Sequence, residues 1–167
     1  PYQCFSAFAG NPYLISPDDL FADGLLTQND LDAMKEQPVS PTDSSTRFRI
    51  NFGLFIPKKL DLLLKAFDRF QADPGPLREA FDYFCAENAS WLDDFALFMA
   101  LKESKGGGAW NGWDPALRNR KKAAMNKARK ELAEDIIRHS FYQFLFFRQW
   151  NKLRGYANSK GIQIVGD

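Results

Sequence analysis

Large apolar side chains return every three or four residues along most of this chain. That period suits amphipathic helices and leaves little room for sheet. After Pro57, the positions Leu60, Leu63, Leu64, Phe67 and Phe70 mark one helical face, which the Asp73-Pro74-Gly75-Pro76 cluster ends. Leu77, Ala80, Phe81, Phe84 and Cys85 resume the same spacing, so Cys85 reads as a small core residue and not as a reactive thiol. Ser90 with Asp93 resembles a fresh helix cap, with Leu92, Phe95 and Met99 on the stripe that follows, and Gly106-Gly107-Gly108 as its stop. A last stripe runs through Phe146, Trp150, Leu153 and Ala157 to a stop at Gly161.

Local signals complete the helical reading. Ser16 caps Pro17, whose ring suits a first helical position, and Asp18 and Asp19 favour the positive helix end; Gly24 closes that short helix. Thr27 with Asp30 opens a second short helix through Lys35. Residues 36–46 form a polar, proline-interrupted loop, and residues 1–15 an ordered loop around Gly10, Asn11 and Pro12. The charged, alanine-bearing stretch 116–138 reads as helix. Between it and the triple glycine, Trp110 and Trp113 sit in a loop, where two indoles are expected to serve as buried plugs.

Length and charge bound the function. One domain accommodates 167 residues, and 45% hydrophobic content excludes a disordered chain. Lys and Arg total 22 against 21 acids, so no cationic surplus exists to displace the counterions of nucleic acid. The basic run Arg118 to Lys130 is followed at once by Glu131, Glu134 and Asp135, which marks a solvated helix face. No apolar run approaches the ~18 residues of a membrane span. Cys4 and Cys85 cannot form a zinc site alone, and His139, the sole histidine, is expected on a helix surface; no metal or cofactor is expected. Sixteen Phe, five Tyr and four Trp fit an aromatic helical core more readily than a sugar-stacking surface.

The one strand signal comes last. Ile162-Gln163-Ile164-Val165-Gly166-Asp167 is β-branched and ends on a carboxylate. A helix feeding a strand that ends in Asp is the unit of a parallel βα architecture, and in a (β/α) barrel strand ends face the active site. Asp167 is therefore the candidate functional residue. A chain that opens at Pro1 and stops on such a strand reads as a piece of something longer.

Two segments carry a family resemblance. Residues 1–15, PYQCFSAFAGNPYLI, and residues 141–167, FYQFLFFRQWNKLRGYANSKGIQIVGD, resemble the opening and strand-end signatures of amylomaltases, the 4-α-glucanotransferases of the α-amylase clan. Phe52–Phe70 and Trp113–Arg120 are similar to the family's helical region more loosely. The resemblance spans the whole chain but only the first third of such an enzyme. It implies a mostly α structure with one or two short strands, a partial (β/α)8 TIM-barrel fragment with a helical insertion. Residues 1–15 would be an active-site loop after a barrel strand, 16–138 a helical insertion, and 139–167 a barrel helix with its following strand.

The implied activity is transfer of α-1,4-glucan segments between malto-oligosaccharides by a retaining double displacement. The catalytic carboxylates of that mechanism lie in motifs outside this chain, so the piece alone should be inactive. Tyr2 matches the family tyrosine that stacks beside the sugar undergoing cleavage, and Asp167 matches the acid that helps bind the same sugar. The implied partners are malto-oligosaccharides, without nucleic acid, membrane, cofactor or metal, in the cytoplasm or a plastid stroma. The competing reading is a non-catalytic helical interaction module.

Overall fold

The computed structural model describes residues 5–35 and 51–165, all helix, turn and loop. Seven α-helices follow in order: α1 (Pro17–Ala22), α2 (Gln28–Lys35), α3 (Phe52–Ala72), α4 (Leu77–Ser104), α5 (Pro115–Arg118), α6 (Lys122–Glu131) and α7 (Ala133–Ser159). Short 3-10 turns sit at Pro12–Leu14 and Trp110–Gly112. The caps follow the sequence signals. Ser16 Oγ accepts from the Asp19 amide, and Thr27 and Asp30 bond reciprocally, the Thr27 hydroxyl donating to Asp30 at 2.6 Å. That bond, with Arg69 behind it, holds the Asp30 carboxyl below its usual range against the opposing effect of burial. Gly161, at φ +73°, lets the Ile162 amide turn back to the Ala157 carbonyl and end α7.

The long helices α4 and α7 form the most extensive helix contact, with α3 laid against α7. Their core is aromatic. Phe70 stacks on Phe141 at 4.4 Å between centroids, and Phe81 meets both rings edge-on. Phe67, Phe70 and Phe141 are fully buried, each side chain contributing about 1.5–3 kcal/mol of hydrophobic stabilisation. Ile15, Leu20, Leu25, Leu26 and Leu31 close this core from the front of the chain. A second cluster of Leu97, Leu101, Met125 and Ala128 joins α4 to α6.

Several expectations need correcting. Ile162–Val165 is not a strand, and no other described residue is in a strand that could pair with it. Its side chains stay in water, Val165 at 87% exposure, because a strand is made by a neighbour's backbone and not by β-branched composition. The helix expected after Pro57 begins five residues before it: the Asn51 side chain caps the Leu54 amide, and Pro57 lies inside α3. Its buried face is Leu62, Leu63, Ala66, Phe67 and Phe70, with Leu60 and Leu64 exposed. No break occurs at Ser90, since nothing from Leu77 to Ser104 disrupts a helix and the Ser90–Asp93 cap pattern falls in its middle. Residues 116–138 form parts of three helices, divided at Asn119–Lys121 and Leu132.

His139 is not a surface residue. Its side chain retains 12% exposure and its Nε2 lies 3.0 Å from Glu103 Oε2, an oxygen that also receives Arg138 at 2.9 Å. On α7, Leu153 and Tyr156 are exposed while Ala157 is buried. Of the two loop indoles only Trp113 is tucked in, against Phe98; Trp110 is 57% exposed. Cys85 agrees with its core reading: burial, then Asp82 and Asp93, push its thiol up to about 11.

Candidate functional site

Tyr2 and Asp167, the two residues singled out from the sequence, lie outside the described residues. What the structure describes is how the segments that carry them are joined. The front segment after Tyr2 lies along α7, the helix that leads toward Asp167. Two glutamine side chains make the junction. Gln143 Oε1 accepts from the Gly10 amide at 2.8 Å while its Nε2 donates to the Gly10 carbonyl at 3.0 Å. Gln149 repeats the arrangement six residues on, accepting from the Ser16 amide at 2.7 Å and donating to the Ser16 carbonyl at 3.2 Å. A primary amide offers one acceptor and two donors, so each side chain binds the N–H and C=O of one residue as a neighbouring strand would.

Burial makes this clamp firm. Gln143 is 2% exposed within an aromatic helix face, and Gly10 is buried beneath it. Gly10 cannot be replaced freely: a Cβ there would stand 1.9 Å from the Phe146 ring. Asn11 Oδ1 accepts from Tyr13, folding the short turn that brings the chain from Gly10 to Ser16. Ion pairs extend the seam, Lys152 to Asp19 at 2.7 Å and Arg148 to Asp23. Lys59 reaches in from α3 to donate to the Ile15 carbonyl, and burial pushes its ammonium down to about 8.

The segment also rests on α4. Phe8 stacks on Trp91 with ring planes 25° apart, and Phe5 meets Phe98 at 6.3 Å. Lys102 lies over the Phe5 ring at 5.1 Å. Trp91 is steadied from behind by its indole N–H, which donates to Asn88 at 3.1 Å. Both front phenylalanines keep more than half their surface in water. The space enclosed by this segment, His139, Tyr142 and Gln143 is about 80 Å³. That holds two or three waters at about 30 Å³ each and is too small for a sugar.

Neither glutamine was assigned a role from the sequence, although both stand in the closing motif. The signal was available: a polar amide amid Phe141, Tyr142, Phe144 and Leu145 has to find a partner inside. Among the described residues no group of three or more His, Cys, Asp or Glu side chains could hold a metal ion. No helix among them is long and apolar enough to cross a membrane.

Comparison with known proteins shows the family. A family model described as 4-alpha-glucanotransferase matches residues 1–167. The chain is 44% identical over 168 residues to a 4-alpha-glucanotransferase of Thermus thermophilus, covering all of this chain and 31% of that protein. A Solanum tuberosum protein named 4-alpha-glucanotransferase, chloroplastic/amyloplastic, is 37% identical over all of this chain and 28% of its own length. In structure, the chain resembles an amylomaltase from Streptococcus agalactiae solved in complex with acarbose. The TM-score is 0.85 at 35% identity, over 100% of this chain and 32% of that one. The chain thus spans about a third of the length of the relatives it matches.

Proposed function

Since this chain belongs to the 4-α-glucanotransferase family, we propose that it supplies part of the substrate cradle of an enzyme that transfers α-1,4-glucan segments between malto-oligosaccharides. In this reading residues 1–15 are a loop at the mouth of a (β/α)8 barrel, 16–138 a helical insertion, and 139–167 a barrel helix and its strand. Ile162–Val165 becomes a strand when neighbouring barrel strands flank it. Its exposed Ile162, Ile164 and Val165 are the side chains such packing would cover.

The observation that carries the proposal is the paired glutamine clamp. It ties the segment bearing Tyr2 to the helix leading to Asp167, so that an aromatic ring and a carboxylate reach one sugar from two sides. Tyr2 packs against the apolar face of the ring at the scissile bond, and Asp167 accepts hydrogen bonds from its hydroxyls. A retaining transfer needs two further carboxyl groups about 5–5.5 Å apart, one as nucleophile and one as acid and base. No residue of this chain is assigned to either role. The reaction takes no cofactor or metal, and its site is the cytoplasm or, for a plant protein, the plastid stroma.

A chimera tests the reading. This chain replaces the aligned segment of the Thermus thermophilus relative, and glucose release from maltotriose is followed. The chimera should disproportionate maltotriose, and Tyr2→Ala or Asp167→Asn should lower kcat/KM by about a hundredfold, the scale of losing contacts that strengthen in the transition state. A folded chimera indifferent to both substitutions would overturn the proposal.

A further inference from the structure

We propose that the cavity between α4 and the Trp110–Trp113 loop is a second carbohydrate site, holding a neutral α-glucan chain with the Trp110 indole against a ring face and the Asp94–Arg120 pair at its hydroxyls. The choice of a glucan rests on the function proposed above; the existence of a site rests on its own geometry.

The cavity measures about 380 Å³ and is lined by α4, the indole loop, α5 and α6, with no described residue of the front segment or α7 on its wall. That volume lies within the roughly 300–1,000 Å³ of small-molecule sites. Trp110 lines it at 57% exposure, although its neighbour shows that the loop can bury an indole: Trp113 packs on Phe98 at 5.5 Å between ring centroids. An exposed tryptophan on a floppy loop would mean little. Here the loop is tied at both ends. Lys102 donates to the Gly107 carbonyl at 2.6 Å, the Trp113 amide turns back to the Trp110 carbonyl at 3.1 Å, and Arg118 donates to the Asn111 carbonyl at 3.0 Å. The indole face is therefore presented before any ligand arrives, which lowers the ordering cost of binding.

The polar wall is equally fixed. One Arg120 nitrogen donates to both Asp94 oxygens, at 2.8 and 2.7 Å. Arg120 also adopts φ +50°, the only non-glycine residue with positive φ among the described residues, so a backbone unfavourable for an L side chain aims it. The result sets guanidinium N–H groups beside carboxylate lone pairs. Vicinal sugar hydroxyls, each both donor and acceptor, match such a pair. Arg118 shares this wall and Arg129 also reaches Asp94, at 3.5 Å, so an anion is the competing ligand that pyrophosphate probes.

Native gel electrophoresis of the chimera through amylose tests the assignment. Asp167→Asn serves as background to weaken retention at the first site. Retardation should persist there, and adding Trp110→Ala should weaken it at least about fivefold, with Trp110→Phe restoring part, as expected for loss and return of a stacked ring. Maltoheptaose should protect Trp110 from N-bromosuccinimide, and pyrophosphate should not. Retardation unchanged by Trp110→Ala, with maltotriose turnover still dependent on Tyr2 and Asp167, overturns this inference and leaves the proposed function standing. Turnover indifferent to Tyr2 and Asp167, with retardation lost in Trp110→Ala, does the reverse. Protection by pyrophosphate alone overturns the glucan assignment.

Discussion

Replacing Gln143 by Ala removes one acceptor and one donor from a place water reaches poorly. Gln143 is 2% exposed, and both of its bonds go to the buried Gly10 peptide groups, at 2.8 and 3.0 Å. After truncation the Gly10 N–H and C=O both lose their partner. A buried polar group left unmade costs about 1–3 kcal/mol, so two cost roughly 2–5 kcal/mol once some relaxation is allowed. At about 1.4 kcal/mol per tenfold, local opening of the front segment should rise by roughly 30- to 3,000-fold. Hydrogen exchange with mass spectrometry, read on peptides covering residues 5–16 in the chimera, measures this opening. Gln149→Ala, in a partly buried position, should give a smaller loss in the same peptides. Because Tyr2 precedes this segment, KM for maltotriose should rise in both variants. If protection over residues 5–16 stays within twofold of the parent in Gln143→Ala, the clamp does not hold the front segment and the reasoning fails.

Gly10→Ala should destabilise by about 1–3 kcal/mol through overpacking against Phe146, and Phe146→Ala in the same chain should relieve part of that loss, measured as coupling in a double-mutant cycle. His139 gives a pH dependence. Burial and then Arg138 depress its folded pKa, with Glu103 and Asp135 opposing, so the unfolded chain binds the proton more readily; stability is full above pH ~6.5 and falls as pH drops through the folded value. His139→Gln should flatten urea midpoints across that window, and an unchanged slope would refute the assignment. Cys85, with its thiol near 11, should be about one part in a thousand thiolate at pH 8 and alkylate far more slowly than a free cysteine, as quantified on its own peptide. The 167-residue chain alone should release no glucose from maltotriose; measurable release would place catalytic carboxylates within it.

The helical character was legible because it rests on local rules. Ser16, Thr27 with Asp30, the glycines at 24 and 106–108, and Gly161 each act within one turn of themselves. Boundaries that depend on tertiary context were not legible. Pro57 looked like a helix start, yet the Asn51 cap starts α3 five residues earlier and leaves Pro57 inside it, and the Ser90 cap pattern lost to uninterrupted packing of α4 on α7. Whether 162–165 pairs as a strand could not be judged from composition, since pairing is a property of two segments. His139 was misplaced because its partner, Glu103, lies 36 positions away on another helix. An amide amid Phe141, Tyr142, Phe144 and Leu145 signals that Gln143 needs a partner, but that partner lies 133 positions away, where no local pattern points.

The central claim is that the front aromatic and the strand-end acid close on one sugar. A crystal structure of the chimera soaked with acarbose tests it most directly. The account predicts the Tyr2 ring in van der Waals contact with one ring of the acarbose and the Asp167 carboxylate within hydrogen-bond distance, about 2.5–3.0 Å, of hydroxyls on that same ring. Acarbose bound with Tyr2 and Asp167 on different sugars, or with either residue turned away from it, would contradict the account.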